Sequence, residues 1–233
     1  MRRKALAFTL AALVCGATLD AEASPPTAPS ESPLAKWDPI ESLNRSTYRF
    51  NIWLDRWLLL PVVQVYRNVP EPARNRVRNF FANLDELPTL ANTLLQGSPV
   101  KASTTVARFA LNTTVGVAGV FDPASRWGLI RYQEDFGQTL GRWGVGPGPY
   151  VVLPFFGPSS LRDTVGIGGD RAMLWALGAA TIDELNTAFA VLTPAEVVSL
   201  REANDFRYAE LGPFEYELVR YTYLEYRKVL VGE

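Results

Sequence analysis

An all-α fold carrying one irregular Gly/Pro-rich hairpin or loop is what this 233-residue sequence predicts. Three observations predict it. Proline repeatedly stands at the head of short amphipathic stretches, at Pro39, Pro72, Pro88 and Pro99, a position helices favour for their first turn. Between Trp143 and Leu161 glycines and prolines crowd a run without charge. Tyr150-Val151-Val152-Leu153, inside that run, is the best short β candidate in the chain.

The N-terminus precedes the fold. Arg2, Arg3 and Lys4 lead an apolar stretch from Ala5 to Val14, and Ala21-Glu22-Ala23 offers a small-x-small cleavage site before Ser24, which together match a secretory leader over residues 1–23. Cys15, the one cysteine, lies inside that leader. Two readings stay open there: cleavage after Ala23, which leaves a chain without thiols, or cleavage just before Cys15 with acylation of its sulfur. Leu13-Val14 are larger than the side chains an acylation signal favours in front of its cysteine. Residues 24–37 follow as a Pro-rich tether with Pro25, Pro26, Pro29 and Pro33, a composition that buries no core.

The folded domain is expected over residues 38–233. Asp38-Pro39-Ile40-Glu41 reads as a helix start, with Asp38 as N-cap. Ile40, Leu43, Thr47, Phe50, Leu54, Trp57 and Leu58 then share one side of a helix, away from Glu41, Arg45, Arg49 and Arg56. Trp57 to Tyr66 holds ten uncharged residues, half of what a membrane span needs, and Pro61 interrupts it. That run is either buried core or a membrane-interface segment with Trp53, Trp57, Leu58 and Tyr66 at headgroup level. Proline-led helices follow from Glu71 to about Leu84, Leu87 to about Gln96, stopped by Gly97, and Ser98 to about Thr114.

Trp143 to Leu161 has the length of a span, nineteen residues, but its prolines and glycines exclude a regular helix. A hairpin or loop buried in protein or facing a cavity keeps its amides paired. A helix is expected from Ser159-Ser160 to about Ala180, with Gly166-Ile167-Gly168-Gly169 at a close helix crossing rather than a phosphate loop, since no strand leads into it. The last helix, from Pro213 to Val231, is apolar on two faces and so calls for two surfaces to touch.

Composition narrows the chemistry. Histidine is absent, which removes imidazole-based triads and imidazole-ligated metal sites. With the leader's three bases and two acids set aside, the 23 basic and 24 acidic residues become 20 and 22, a balance that gives no footprint for nucleic acid. Glu134-Asp135 resembles a carboxylate pair, but adjacent side chains diverge. No catalytic, cofactor or metal set emerges.

Asp38-Pro39-Ile40-Glu41-Ser42-Leu43-Asn44-Arg45 with Tyr48-Arg49-Phe50-Asn51 resembles the opening signature of the MlaA (VacJ) family. Tyr66 to Arg74, Leu94 to Gly97, Arg108 to Thr113 and, above all, Asp135 to Gly141 and Trp143 to Asp163 continue the resemblance collinearly. The resemblance implies a ring-shaped helical body in the inner leaflet of the outer membrane, at its periplasmic face, with a channel for phospholipid headgroups. It also implies a trimeric porin and a soluble periplasmic lipid carrier as partners, phospholipid as cargo, and no enzymatic step. A structural or adhesive envelope protein is the alternative reading. Family members are typically lipoproteins, so the poor context of Cys15 is a departure. Tyr150, Arg162 and Asp163 are candidates for lining the lipid path, with helix capping as the ordinary reading of Arg162 and Asp163. Asn44, Phe50 and Asn51 belong to the motif helix, where packing of the body is the ordinary reading.

Overall fold

A computed structural model describes residues 38–176, 194–204 and 212–232, all within the unit Pro33–Glu233. The leader, Cys15, the tether and the expected end of a helix near Ala180 lie outside these residues. The elements are α1 (Glu41–Leu54), a π-helical turn (Asp55–Leu59), α2 (Leu60–Tyr66), α3 (Glu71–Leu84), α4 (Glu86–Leu95), α5 (Pro99–Thr114), α6 (Pro123–Arg126), α7 (Phe136–Arg142), β1 (Tyr150–Leu153), β2 (Gly157–Ser160), α8 (Leu161–Ala176), α9 over residues 194–203, and α10 (Glu215–Val231). The body is helical with one two-stranded sheet, as the sequence predicts. Among the described residues no helix is long and apolar enough to cross a membrane.

Asp38 differs from its expected role. Helix α1 begins at Glu41 after Ile40, without a side-chain cap. The Asp38 carboxylate instead accepts hydrogen bonds from Asn44 Nδ2 at 2.8 Å, Arg220 at 3.0 Å and the Tyr216 hydroxyl, joining the start of α1 to α10. A buried carboxylate gains more from a guanidinium than from one exposed amide. Pro61 does not break the helix either. The π-helical turn Asp55–Leu59 precedes it, so the ladder widens where proline has no N–H to donate, and the chain continues into α2. Asp55, buried in that turn, receives Arg201 of α9 at 2.7 and 3.0 Å.

The uncharged run folds into a hairpin. Tyr150 pairs with Ser160 and Leu153 with Gly157, antiparallel, around a turn at 154–156. An isolated two-stranded ribbon is marginal and leaves open edges. Here α1 covers one edge. Asn44 donates to Tyr150 O at 2.9 Å and accepts from Val152 N at 2.8 Å, and Asn51 donates to Leu153 O at 2.9 Å and accepts from Phe155 N at 3.0 Å. Two asparagines seven residues apart on one helix face thus stand in for a third strand.

Helix α8 starts on Ser160, whose hydroxyl accepts from Asp163 N at 3.1 Å. It crosses α7 at very short range. A Cβ on Gly166 would lie 2.5 Å from Gly137 N, and one on Gly137 would lie 2.5 Å from the Asp163 carboxylate. Gly166 and Gly169 serve this close crossing, as the sequence predicts, whereas a Cβ on Gly168 would meet nothing within 4 Å. A small aromatic core of Tyr48, Tyr150, Val152 and Tyr216 joins α1, β1 and α10.

Candidate functional site: a charged cavity within an apolar exterior

Burial runs against the usual pattern for a soluble domain. Among the described residues 22 buried side chains are polar or charged and 10 are apolar. The exterior is the reverse. Along α1 and the π-helical turn after it, Asn44, Tyr48, Asn51 and Asp55 turn inward, while Leu43, Phe50, Trp53, Trp57 and Leu58 are exposed, Trp57 by 66%. Apart from buried Leu54, the large apolar side chains of this stripe therefore face outward, and the core reading of the Trp57–Tyr66 run does not describe Trp57 or Leu58. Tyr66 is half-buried. On α5, Thr105, Arg108 and Asn112 are buried while Val100 and Val106 are exposed; on α10, Glu215, Arg220 and Arg227 are buried while Leu218 and Val229 are exposed.

Inside lies a cavity of about 730 Å³, bounded by α3 and α4 (Phe81, Pro88), the segment 131–135, α8 (Asp170, Arg171) and α10 (Tyr226, Leu230). A smaller cavity of about 190 Å³ sits against the hairpin at Leu153, Phe156 and Ser159. Asp135, Ile167, Asp170 and Arg227 belong to both walls. Arg227 is the centre of this partition. It reaches Asp135, the N-cap of α7, through both terminal nitrogens at 2.6 and 2.8 Å, and Asp163 at 2.7 Å. Tyr223 donates to the other Asp163 oxygen at 2.7 Å. Asp170 accepts from Asn92 at 2.7 Å and from Phe136 N at 3.1 Å.

The family profile described as MlaA lipoprotein matches residues 36–230. The intermembrane phospholipid transport system lipoprotein MlaA of Haemophilus influenzae is 34% identical over 182 residues, 72% of each chain. The chain belongs to the MlaA lipoprotein family. The protein of the same description from Escherichia coli K12 is 45% identical over 140 residues, 58% of this chain and 55% of that one. The MlaA-like chain thus spans about half the length of that relative, at 55%. A solved chain from work on the structural basis for maintenance of bacterial outer membrane lipid asymmetry superposes with a TM-score of 0.68 at 32% identity. It covers 84% of this chain and 100% of that one.

Within this MlaA-family body the predicted site residues take distinct places. Asp163 lines the smaller cavity. Arg162 is buried beside it, donating to Asp163 at 3.2 Å and to Val145 O at 3.2 Å, and Tyr150 packs edge-on to Tyr216 and Tyr223; neither borders these two cavities. Asn44 and Asn51 clamp the hairpin, and Phe50 is exposed against Phe155, ring centroids 5.7 Å apart. Glu134 and Asp135 diverge, Glu134 to Lys101 at 2.5 Å and Asp135 to Arg227.

Electrostatics separates the three aspartates. Burial raises the pKa of Asp135 and of Asp163, but the hydrogen bonds and charge of Arg227 outweigh it and hold both below the usual carboxylate range. Burial opposes the charge on Arg227 too, and its two aspartates more than reverse that, raising it. Asp170 behaves otherwise: burial prevails over the Asn92 and Phe136 hydrogen bonds, and its pKa is pushed up to about 6. Asp170, Arg227 and Asn92 were not selected by sequence reasoning. A signal existed in the spacing: Asp163 and Asp170, like Arg220 and Arg227, are seven residues apart and so share a helix face.

Proposed function

We propose that this chain is a non-enzymatic outer-membrane component of intermembrane phospholipid transport. In this reading it removes mislocalised phospholipid from the outer leaflet and passes it to a soluble periplasmic carrier, held at the periplasmic face beside a trimeric porin. One observation carries the proposal: among the described residues buried side chains are mostly polar or charged, while large apolar side chains stand exposed around a cavity bordered by charged groups. A body with exposed Trp53, Trp57, Leu58, Val62 and Val65 lowers its free energy by placing them among acyl chains. Its short helices suit one leaflet rather than a span. A headgroup taken into the charged cavity keeps polar partners while its tails stay in the surrounding hydrocarbon. The 730 Å³ cavity lies within the range of about 300–1,000 Å³ common to small-molecule sites. The names of the H. influenzae and E. coli relatives and the subject of the solved chain support the same reading.

Residues 1–23 act as the export leader and 24–37 as a tether in this proposal, and the exposed apolar side chains hold the body against the membrane. Intact-mass measurement of the mature N-terminus distinguishes Ser24 from an acylated Cys15. The decisive experiment is deletion of the gene followed by labelling of surface phospholipid. Outer-leaflet phospholipid rises on deletion and returns to normal with the restored gene. Unchanged outer-leaflet phospholipid with a mechanically weakened envelope overturns transport in favour of a structural role.

A further inference from the structure

The helical run from α1 through the π-helical turn into α2 carries positive charge that the body does not neutralise. Both acids of this run are held: Glu41 pairs with Arg45 at 2.6 Å and Asp55 with Arg201 at 2.7 Å. Arg49 and Arg56 are exposed and have no carboxylate within ion-pair distance among the described residues. Arg49 donates only to Ser46 Oγ at 3.2 Å, and the Arg56 guanidinium lies over the Trp57 ring, 5.9 Å from its centroid. Trp53 stands four residues after Arg49 and three before Arg56, spacings that make side chains neighbours on a helix surface. Phe50 stacks on Trp53 with centroids 6.1 Å apart and meets Phe155 of the hairpin turn edge-on at 5.7 Å. Phe155 has a left-handed φ of 69°, costly for a bulky residue, and Asn51 Oδ1 accepts from its N–H at 3.0 Å. Backbone strain is thus accepted where it keeps an aromatic ring at the surface beside Phe50. The whole chain has 23 basic and 24 acidic residues, so its net charge provides no general attraction to an anionic surface. Any such attraction is local.

We propose that this surface anchors the body on anionic phospholipid, with Arg49 and Arg56 at the phosphates and Phe50, Trp53 and Trp57 at the boundary between headgroups and acyl chains. The inference rests on the membrane placement in the transport reading and adds the charge class of the lipid against which α1 lies. Guanidinium forks match phosphate oxygens in geometry and charge. Indole rings settle at headgroup level, where one end is apolar and the other wet. Anionic lipid adds a negative surface potential that zwitterionic lipid lacks, and each unpaired arginine near the surface gains from it. Exposed apolar side chains recur along the run from Leu43 to Val65, about 30 Å of helix. A protein partner of that length must place an acid opposite each arginine, whereas a bilayer presents phosphates at every position.

The test floats the full chain, purified in detergent and diluted out of it, with vesicles of phosphatidylcholine alone or of phosphatidylcholine mixed with phosphatidylglycerol. The unsubstituted chain binds the mixed vesicles several-fold more tightly, and added salt removes the difference. Arg49→Gln combined with Arg56→Gln weakens binding to the mixed vesicles on the order of tenfold and leaves binding to phosphatidylcholine unchanged. Arg49→Lys combined with Arg56→Lys retains most of the preference, since the charge is kept. Equal binding of the unsubstituted chain to both vesicles overturns the anionic anchor and leaves the membrane placement standing. Binding to neither overturns both. A dimer in detergent that the double glutamine variant dissociates assigns the surface to a second copy of the chain and likewise overturns the inference.

Discussion

Two buried arginines, Arg108 and Arg227, hold carboxylates in the same body and serve it differently. Arg108 on α5 donates to Glu86 at 2.7 Å, to Leu129 O at 2.8 Å and to Ser125 at 3.1 Å, and both members of the Arg108–Glu86 pair are almost fully enclosed. Neither borders the two cavities. Arg227 also makes short bonds to carboxylates, but it stands in the wall common to both cavities, and its partner Asp135 is partly exposed. Burial of an arginine therefore does not mark a site by itself.

The sharpest way to break this comparison is to remove each arginine. Arg108→Met leaves Glu86 buried without its cation, where burial already pushes its pKa up. A loss of about 3–5 kcal/mol is expected by denaturation in detergent. Adding Glu86→Leu to Arg108→Met should recover a large part of that loss, because no buried charge is then left alone. Arg227→Met frees Asp135 towards water and leaves Asp163 with Arg162 and Tyr223 as partners, so the expected loss is smaller, about 2 kcal/mol. It should alter lipid retention as well, which Arg108→Met should change only in proportion to the folded fraction. Equal stability losses with no difference in lipid retention would erase the distinction between the two regions.

Asp170 sharpens it on the pH axis. Its folded-state pKa of about 6 lies above the ordinary 3.8, so between those values the folded chain binds the proton more tightly than the unfolded chain. Stability contributed by the neutral carboxyl is present at low pH and is lost as pH rises through about 6. Asp170→Asn, which cannot ionise, removes that decline, and the difference between the two thermal-melt profiles across pH 4–7 isolates it from Asp135 and Asp163. Those two act in the opposite sense, since their lowered values contribute stability that is lost only as pH falls below the carboxylate range. The smallest expected effect on folding is at the exterior: Trp53→Ser and Trp57→Ser should each change stability by no more than about 0.5 kcal/mol. Both should weaken binding to phospholipid vesicles in a flotation assay, a loss that neither arginine variant reproduces once folded protein is normalised.

Helix α1 shows why part of this was legible in the sequence and part was not. Its amphipathic period is plain, and Asn44, Asn51, Leu43 and Phe50 fall where the period puts them. Periodicity, however, gives a face and not its direction. In water the apolar face turns inward; here Trp57 and Leu58 turn outward and Asn44, Tyr48, Asn51 and Asp55 turn inward. The asparagines are understood only when the open edge of β1 is seen beside them, 106 residues away in the chain for Asn44 and Tyr150. The same limit hid Asp170 and Arg227, each an ordinary charged residue on a helix until α7, α8 and α10 meet.

The helical class, an irregular Gly/Pro-rich hairpin or loop, the crossing at Gly166 and Gly169 and the family motifs were readable from the residues alone, because these depend on local backbone preference or on ordered short patterns. Tertiary structure alone decided which face of each helix is inside, which of two buried arginines meets a cavity, and which aspartate lacks a cation. Those properties depend on contacts between residues far apart in the chain and on the enclosed space they leave, and neither is encoded in the spacing of any single segment.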